Sequence, residues 1–381
     1  MEWLINIIYY VVPFIVLLGI LVFVHEFGHF IVARMSGVQV EAFSIGFGKM
    51  LWSRKDKHGT EWKLSAIPLG GYCQFLGDAD GASAKVDEKA KKLTKEEKKR
   101  AFAFQNPFKK LAIVLAGPLA NYLFAVLVFA CVYTFVGKVL YPPVVGEVME
   151  GGAAQKAGIQ AQDRIVTVNG HKIHSFDDIR KEIALVDNEN MVTIQVLRGV
   201  ENLFLTFPIT ELEFHPDCCD CSKVVKQRML GIRSLNQLEV EHKRLNPFFA
   251  VKEAVAQTID ITEATLRGVG QMIAGKRSSE DIGGIIRIAE MSGDISKQNG
   301  WLDFVMFMAL LSINLGLINL FPIPLLDGGH VVIFLLEIVT GKEMNEKVKE
   351  VLFKLGFGLL ILLMVFATWN DVVRLFKRWF D

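Results

Sequence analysis

Two histidines four residues apart, with a glutamate beside the first, are the part of this chain best suited to chemistry: His25-Glu26-Phe27-Gly28-His29. On a helix, positions i and i+4 share a face, so both imidazoles can bind one metal ion, a zinc-hydrolase signature. A zinc site needs at least one more ligand. Asp327, in Pro322-Ile-Pro-Leu-Leu-Asp-Gly-Gly-His330, is the candidate. Pro322 and Pro324 halt regular helix, and Gly328-Gly329 frees the backbone so that the carboxylate can be aimed. A His, His, carboxylate set would leave one position open for water. An aspartate before glycine is also a common turn residue, and spacing alone leaves the two readings level. For Asn314 and Asn319, just upstream, helix-to-helix hydrogen bonding competes with a substrate-facing role. His330 reads as structural.

The elements that must position these groups are apolar and long. Of the 381 residues 51% are hydrophobic, and they fall in blocks, which argues against a simple soluble protein. Four runs have bilayer length: about residues 5–33, 108–136, 302–321 and 351–367. Ionisable groups in such segments are expensive unless they have a partner or a task. The loop after the first run is rich in lysine and arginine, so the positive-inside rule makes it cytoplasmic and the N-terminus non-cytoplasmic. The first and third runs then both travel inward, one ending at the histidines and the other at Asp327. Their shared depth favours the ligand reading of Asp327. Four crossings return the C-terminus outside, where Arg374, Lys377 and Arg378 stand against the charge rule. The first run lacks a basic leading region and continues into the histidine motif, so no cleavable signal peptide is expected.

Between the runs the character changes. Residues 38–48 and 62–72 read as short glycine-broken strands around a charged turn at 55–59. They form a hairpin that either dips into the membrane, where protein must bury it or water must wet it, or lies on the cytoplasmic face. Residues 78–100 read as a polar, partly helical surface element. Beyond Pro142-Pro143, β-type runs at 144–148, 164–168, 192–197 and 203–208, a turn at Asn169-Gly170 and a helical stretch at 176–186 make a non-cytoplasmic soluble domain. Residues 246–274 repeat apolar positions every three or four residues, an amphipathic helix that lies on the membrane or against that domain. Three of the five cysteines, Cys218, Cys219 and Cys221, crowd into one loop that is either a weak metal or disulfide site or a plain exposed segment. The net charge of +1 and the lack of an aromatic-interleaved basic patch give no sign of nucleic acid as a partner.

The motifs His25-Glu-Phe-Gly-His29, Phe43-Ser-Ile-Gly-Phe-Gly48, Ala116-Gly-Pro-Leu-Ala-Asn121 and Asn319-Leu-Phe-Pro-Ile-Pro-Leu-Leu-Asp-Gly-Gly329 occur in this order over nearly the whole chain. Together they resemble the site-2 protease family of intramembrane metalloproteases, above all its bacterial regulator-of-sigma-E protease branch. Residues 157–170 also resemble a PDZ domain. The resemblance implies a polytopic α-helical membrane protein with four transmembrane helices and a membrane-associated β-hairpin, plus one α+β PDZ-like domain. The corresponding segments are 1–141 (two helices and the β region), 142–212 (PDZ-like), 213–300 (connector) and 301–381 (the last two helices). It implies Zn2+ held by His25, His29 and Asp327, Glu26 as catalytic base, Asn319 near the reaction, and substrate contacts at Gly46, Phe47, Gly48 and Asn314. The expected partners are single-span membrane protein substrates and the lipid bilayer of a bacterial inner membrane, with the PDZ-like domain binding peptide ends or filtering substrates by size. Only one PDZ-like unit fits, where the best-known members have two; Gln162 replaces a common glycine, and residues 213–245 match no part of the family pattern. The contrasting function is an inert membrane-anchored PDZ adaptor. A solute transporter is weakened by the absence of an inverted repeat.

Overall fold

The computed structural model describes residues 2–77, 93–184, 191–208, 211–214, 225–228, 230–234, 241–275, 283–298 and 300–380. They divide into two compact units, residues 1–131 with 247–381, and Val132–Asn246. The cysteine loop and residues 78–92 of the polar segment lie outside the described residues.

The first unit begins with helix α1 (Glu2–Met35), which carries the histidine motif in its last third and continues through Pro13. It is followed by strands β1 (Val40–Lys55) and β2 (Glu61–Phe75), about half as long again as the hydrophobic runs suggest because both strands bend back on themselves. Gly46 and Gly48 make the bend in β1 with φ of 88° and 83°, a region open to glycine at little cost. As a result Phe43 is paired both with Cys73 and with Trp62, so the ribbon doubles over and Phe43 is fully buried against Phe23, Phe30 and Trp62. Short helix α2 (Lys95–Arg100) starts at a Thr94/Glu97 capping box. Helix α3 (Pro107–Phe135) is the second long apolar helix.

In the second unit, β3 (Lys138–Leu140) and β4 (Val145–Val148) come first, then α4 (Ala153–Lys156), β5 (Arg164–Val168), β6 (His171–Lys172), α5 (Phe176–Ala184), β7 (Met191–Arg198) and β8 (Glu201–Pro208). The order β6-β5-β7-β8 is a four-stranded antiparallel sheet whose inward residues Ile165, Val168, Val192, Ile194 and Val196 pack against Ile179 and Ile183 of α5. Residues the sequence left unplaced return to this unit: β9 (Glu211–Phe214) pairs with β10 (Val225–Arg228), β11 (Ile232–Ser234) with β4, and β12 (Glu241–Lys243) with β3. Gln162 has φ 73°, which explains why glycine suits that position.

The first unit resumes with α6 (Pro247–Ile273), α7 (Ile285–Gln298), α8 (Trp301–Asn319), α9 (Asp327–Thr340) and α10 (Glu346–Phe380). Among the described residues four helices, α1, α3, α8 and α10, are long and apolar enough to cross a membrane. Helix α7 was not legible in the sequence. Its N-terminus is capped from afar by the buried Asp371 of α10, whose carboxylate accepts the N–H groups of Gly284 (3.0 Å) and Arg287 (3.1 Å). Arg374, one of the three cations that stood against the charge rule, pairs with Glu290 of α7.

Candidate metal centre

His25 and His29 are buried on one face of α1, as their spacing requires, and Asp327 opens α9 opposite them. One carboxylate oxygen, Asp327 Oδ2, stands 3.1 Å from His25 Nε2 and 3.5 Å from His29 Nε2, and the two Nε2 atoms are 3.3 Å apart. These are the one group of three or more His, Cys, Asp or Glu residues among the described residues that could hold a metal ion.

The chain fixes Asp327 by packing. Helix α8 ends at Asn319, and the turn through Pro322 and Pro324 leads into α9 with Leu325 at φ 85°, a strained conformation for a bulky residue. The expectation that Gly328-Gly329 loosens the backbone is corrected: both are helical, without positive φ. They are small because a Cβ on Gly328 would lie 2.2 Å from Phe321 O and one on Gly329 2.5 Å from Ile323 O. On the other side, Gly356 of α10 meets Pro324 so closely that a Cβ would lie 2.2 Å from its carbonyl oxygen. At the far end of α9, buried Glu337 accepts from Lys349 Nζ (2.7 Å) and Met344 N (3.1 Å), tying α9 to the start of α10.

Helix α3 supplies the outer contacts. His29 Nδ1 donates to the Ile113 carbonyl oxygen at 2.8 Å, which leaves the Nε2 lone pair bare and turned toward Asp327. His25 Nδ1 lies 3.1 Å from the side-chain amide of the fully buried Asn121. With that amide turned to present its oxygen to Nδ1–H, His25 Nε2 is bare as well. Nitrogen lone pairs then converge on a carboxylate oxygen that is buried and has no hydrogen-bond partner. Such a set of acceptors repels itself unless a cation sits among them, and two imidazoles with one carboxylate suit zinc. The residues fit the metal.

Glu26 lies beside the cluster, and its carboxylate accepts the backbone N–H of Cys73 from β2. A cavity of about 910 Å³ holds His25, Glu26, His29, Asp327, Asn319 and His330 together with Phe47 and residues 70–73 of β2. Asn319 Nδ2 is 3.4 Å from His25 Nε2, so it belongs to the cluster. The other expected site residues divide. Phe47 lines the cavity, whereas Gly46 and Gly48 shape the bend and do not line it. Asn314 points to α6, where its Oδ1 accepts from Thr265 at 3.1 Å, and it does not line the cavity. Asn121 of α3 bonds across to α1, with His25 as its partner. Gly117 is a contact the sequence did not reveal: a Cβ there would stand 2.2 Å from His29 Nε2. A polar residue inside an apolar span was the available signal for Asn121; for Gly117 there was none.

Comparison with known proteins gives the same picture. A relative in Rickettsia conorii is 40% identical over 96% of this chain and 99% of its own length. One in Agrobacterium fabrum is 37% identical over 96% of each, and one in Campylobacter jejuni 33% identical over 95% of this chain and 92% of its own. All three carry the name "Putative zinc metalloprotease". The family model of peptidase family M50 matches residues 13–363, a span that takes in both the histidine motif and Asp327. The chain belongs to peptidase family M50, the site-2 protease family.

Proposed function

We propose that this chain is a multi-pass zinc endopeptidase that hydrolyses peptide bonds in or near the transmembrane segment of single-span membrane proteins. The observation that carries the reading is the convergence of two imidazole Nε2 atoms on the orphaned carboxylate oxygen of Asp327 with Glu26 alongside. The cofactor is zinc, for which His25, His29 and Asp327 are the ligands. When bound, it supplies a water acidic enough to be deprotonated near neutral pH and polarises the substrate carbonyl. Glu26 accepts that water's proton and hands it to the departing amine. Asn319, beside His25, donates to the oxygen on which charge develops.

A helical substrate hides its scissile carbonyl in an i to i−4 bond and must unwind first. The edge of β2 at Gly71–Cys73, in the same cavity, offers backbone groups to the unwound segment by strand addition, replacing bonds that lipid cannot. The second unit is read as a single PDZ-like domain on the non-cytoplasmic side of a bacterial inner membrane, where it selects substrates by their external part. An inert adaptor has no use for a carboxylate held against a metal cluster, and nothing in the site favours it. Glu26→Gln should leave zinc bound and stop cleavage of a single-span reporter in bilayers; retained cleavage sinks the assignment.

A further inference from the structure

Leu76 donates its N–H to Gln39 O at 2.9 Å, which sets the parity of the last residues of β2. Successive strand N–H groups point to opposite sides, so those of Gln74 and Tyr72 turn inward to β1 and those of Cys73 and Gly71 turn outward. Among the described residues no strand pairs with that outer edge. Cys73 N–H nonetheless has a partner there, the Glu26 carboxylate. The approach is close along the strand, since a Cβ on Gly71 would stand 3.2 Å from Glu26 Cγ and 2.8 Å from Val22 Cγ1.

We propose that Cys73 is a positioning residue whose backbone N–H holds Glu26 and, by being committed to it, determines which substrate peptide bond is cut. The inference rests on the strand-addition reading above. A substrate segment laid along β2 exchanges backbone bonds at alternate rungs. At the Cys73 rung the donor is taken, so the substrate carbonyl opposite it finds no partner in the ladder. A buried carbonyl without a donor is costly, and the metal cluster is the electropositive alternative within the same cavity. The carbonyl left out of the ladder is the one attacked, with Glu26 already held beside it. Register along the edge, and not side-chain pockets alone, then fixes the scissile bond.

Cys73→Pro removes an outward N–H, which is where a strand tolerates proline, together with the buried thiol; Cys73→Ala removes the thiol and keeps the N–H. With the full chain in bilayers and a single-span reporter, Cys73→Ala is the reference for Cys73→Pro, since both lack the thiol and only Cys73→Ala keeps the N–H. Cys73→Pro should lose about 100-fold in kcat, the scale of a misplaced general base. Its zinc content and the binding of the reporter to metal-free protein should not change, and its residual products, mapped by mass spectrometry, should spread over neighbouring bonds. A chain carrying an α-hydroxy acid at position 73 lacks the same N–H without a ring, and it decides the matter if the proline variant does not fold. Wild-type kcat with an unchanged cleavage site in the hydroxy-acid chain overturns the proposal. So does a loss confined to reporter binding, which would make this N–H a substrate rung. Strand addition is tested separately with reporters N-methylated one residue at a time, which should lose binding at alternate positions; uniform binding rejects that reading whatever the Cys73 variants do.

Discussion

Replacing Asn121 with leucine tests how the metal centre is built. The side chain is fully buried, and its amide lies 3.1 Å from His25 Nδ1. Leucine keeps the branched four-atom skeleton of the side chain with bulkier methyl groups at its tips, and the tie between α3 and α8 at this residue uses the Asn121 backbone oxygen, which accepts from Ser312 Oγ at 2.9 Å and survives the change. What is lost is the acceptor for Nδ1–H. An unpaired buried donor costs about 1–3 kcal/mol, which corresponds to about a 10- to 100-fold weaker zinc affinity, the scale seen when outer partners of metal-binding histidines are removed. Competition against a graded set of chelators, on detergent-solubilised full-length protein, measures it directly. Asn121→Asp restores an acceptor and makes the imidazole more basic, so its zinc affinity should equal or exceed that of the wild type. If leucine leaves the affinity unchanged, or aspartate weakens it, Asn121 does not set the His25 tautomer and the reasoning fails.

The site should also fail through packing. Gly117→Ala puts a Cβ 2.2 Å from His29 Nε2, an overpacking that costs about 1–3 kcal/mol and should lower zinc affinity by about fivefold or more in the same assay. Gly270→Ala, in α6 with nothing within 4 Å of the new Cβ, is the control that should leave it alone. In the second unit the pH dependence has a defined sign. Burial pushes the Asp163 carboxyl up, but Arg198, bonding both its oxygens at 2.8 Å, and the Gln160 N–H hold it below the usual carboxylate range. A group whose folded pKa is lowered contributes stability above its unfolded value, about 3.9 for aspartate, and loses it as pH falls toward the folded value. Hydrogen exchange at residues 192–196 of the intact chain should therefore quicken below about pH 4. Asp163→Asn should abolish that acid dependence while costing about 1–3 kcal/mol near neutral pH; an unaltered acid limb would assign it to other carboxylates.

What the sequence by itself determined is what local periodicity can carry. Spacing of i and i+4 put His25 and His29 on one helix face, apolar length marked α1, α3, α8 and α10, and alternation marked β5, β7 and β8. The pairing of Asp327 with the histidines was reachable because two segments of the same direction and character ended in chemically matched groups. The tertiary structure alone decided what depends on contacts between distant segments. His29 is set by a carbonyl oxygen 84 positions away, His25 by an amide 96 positions away, and α7 by a carboxylate 84 to 87 positions away. A backbone carbonyl carries no residue identity, so no pattern in the sequence could have named Ile113. Gly328 and Gly329 show the same limit: read alone they suggest a free backbone, but packed against residues 320–324 they are helical and have no room for a side chain. Strand parity could be guessed from alternation, but not the doubling-over of β1 and β2, and it is that fold which turns Cys73 N–H toward Glu26.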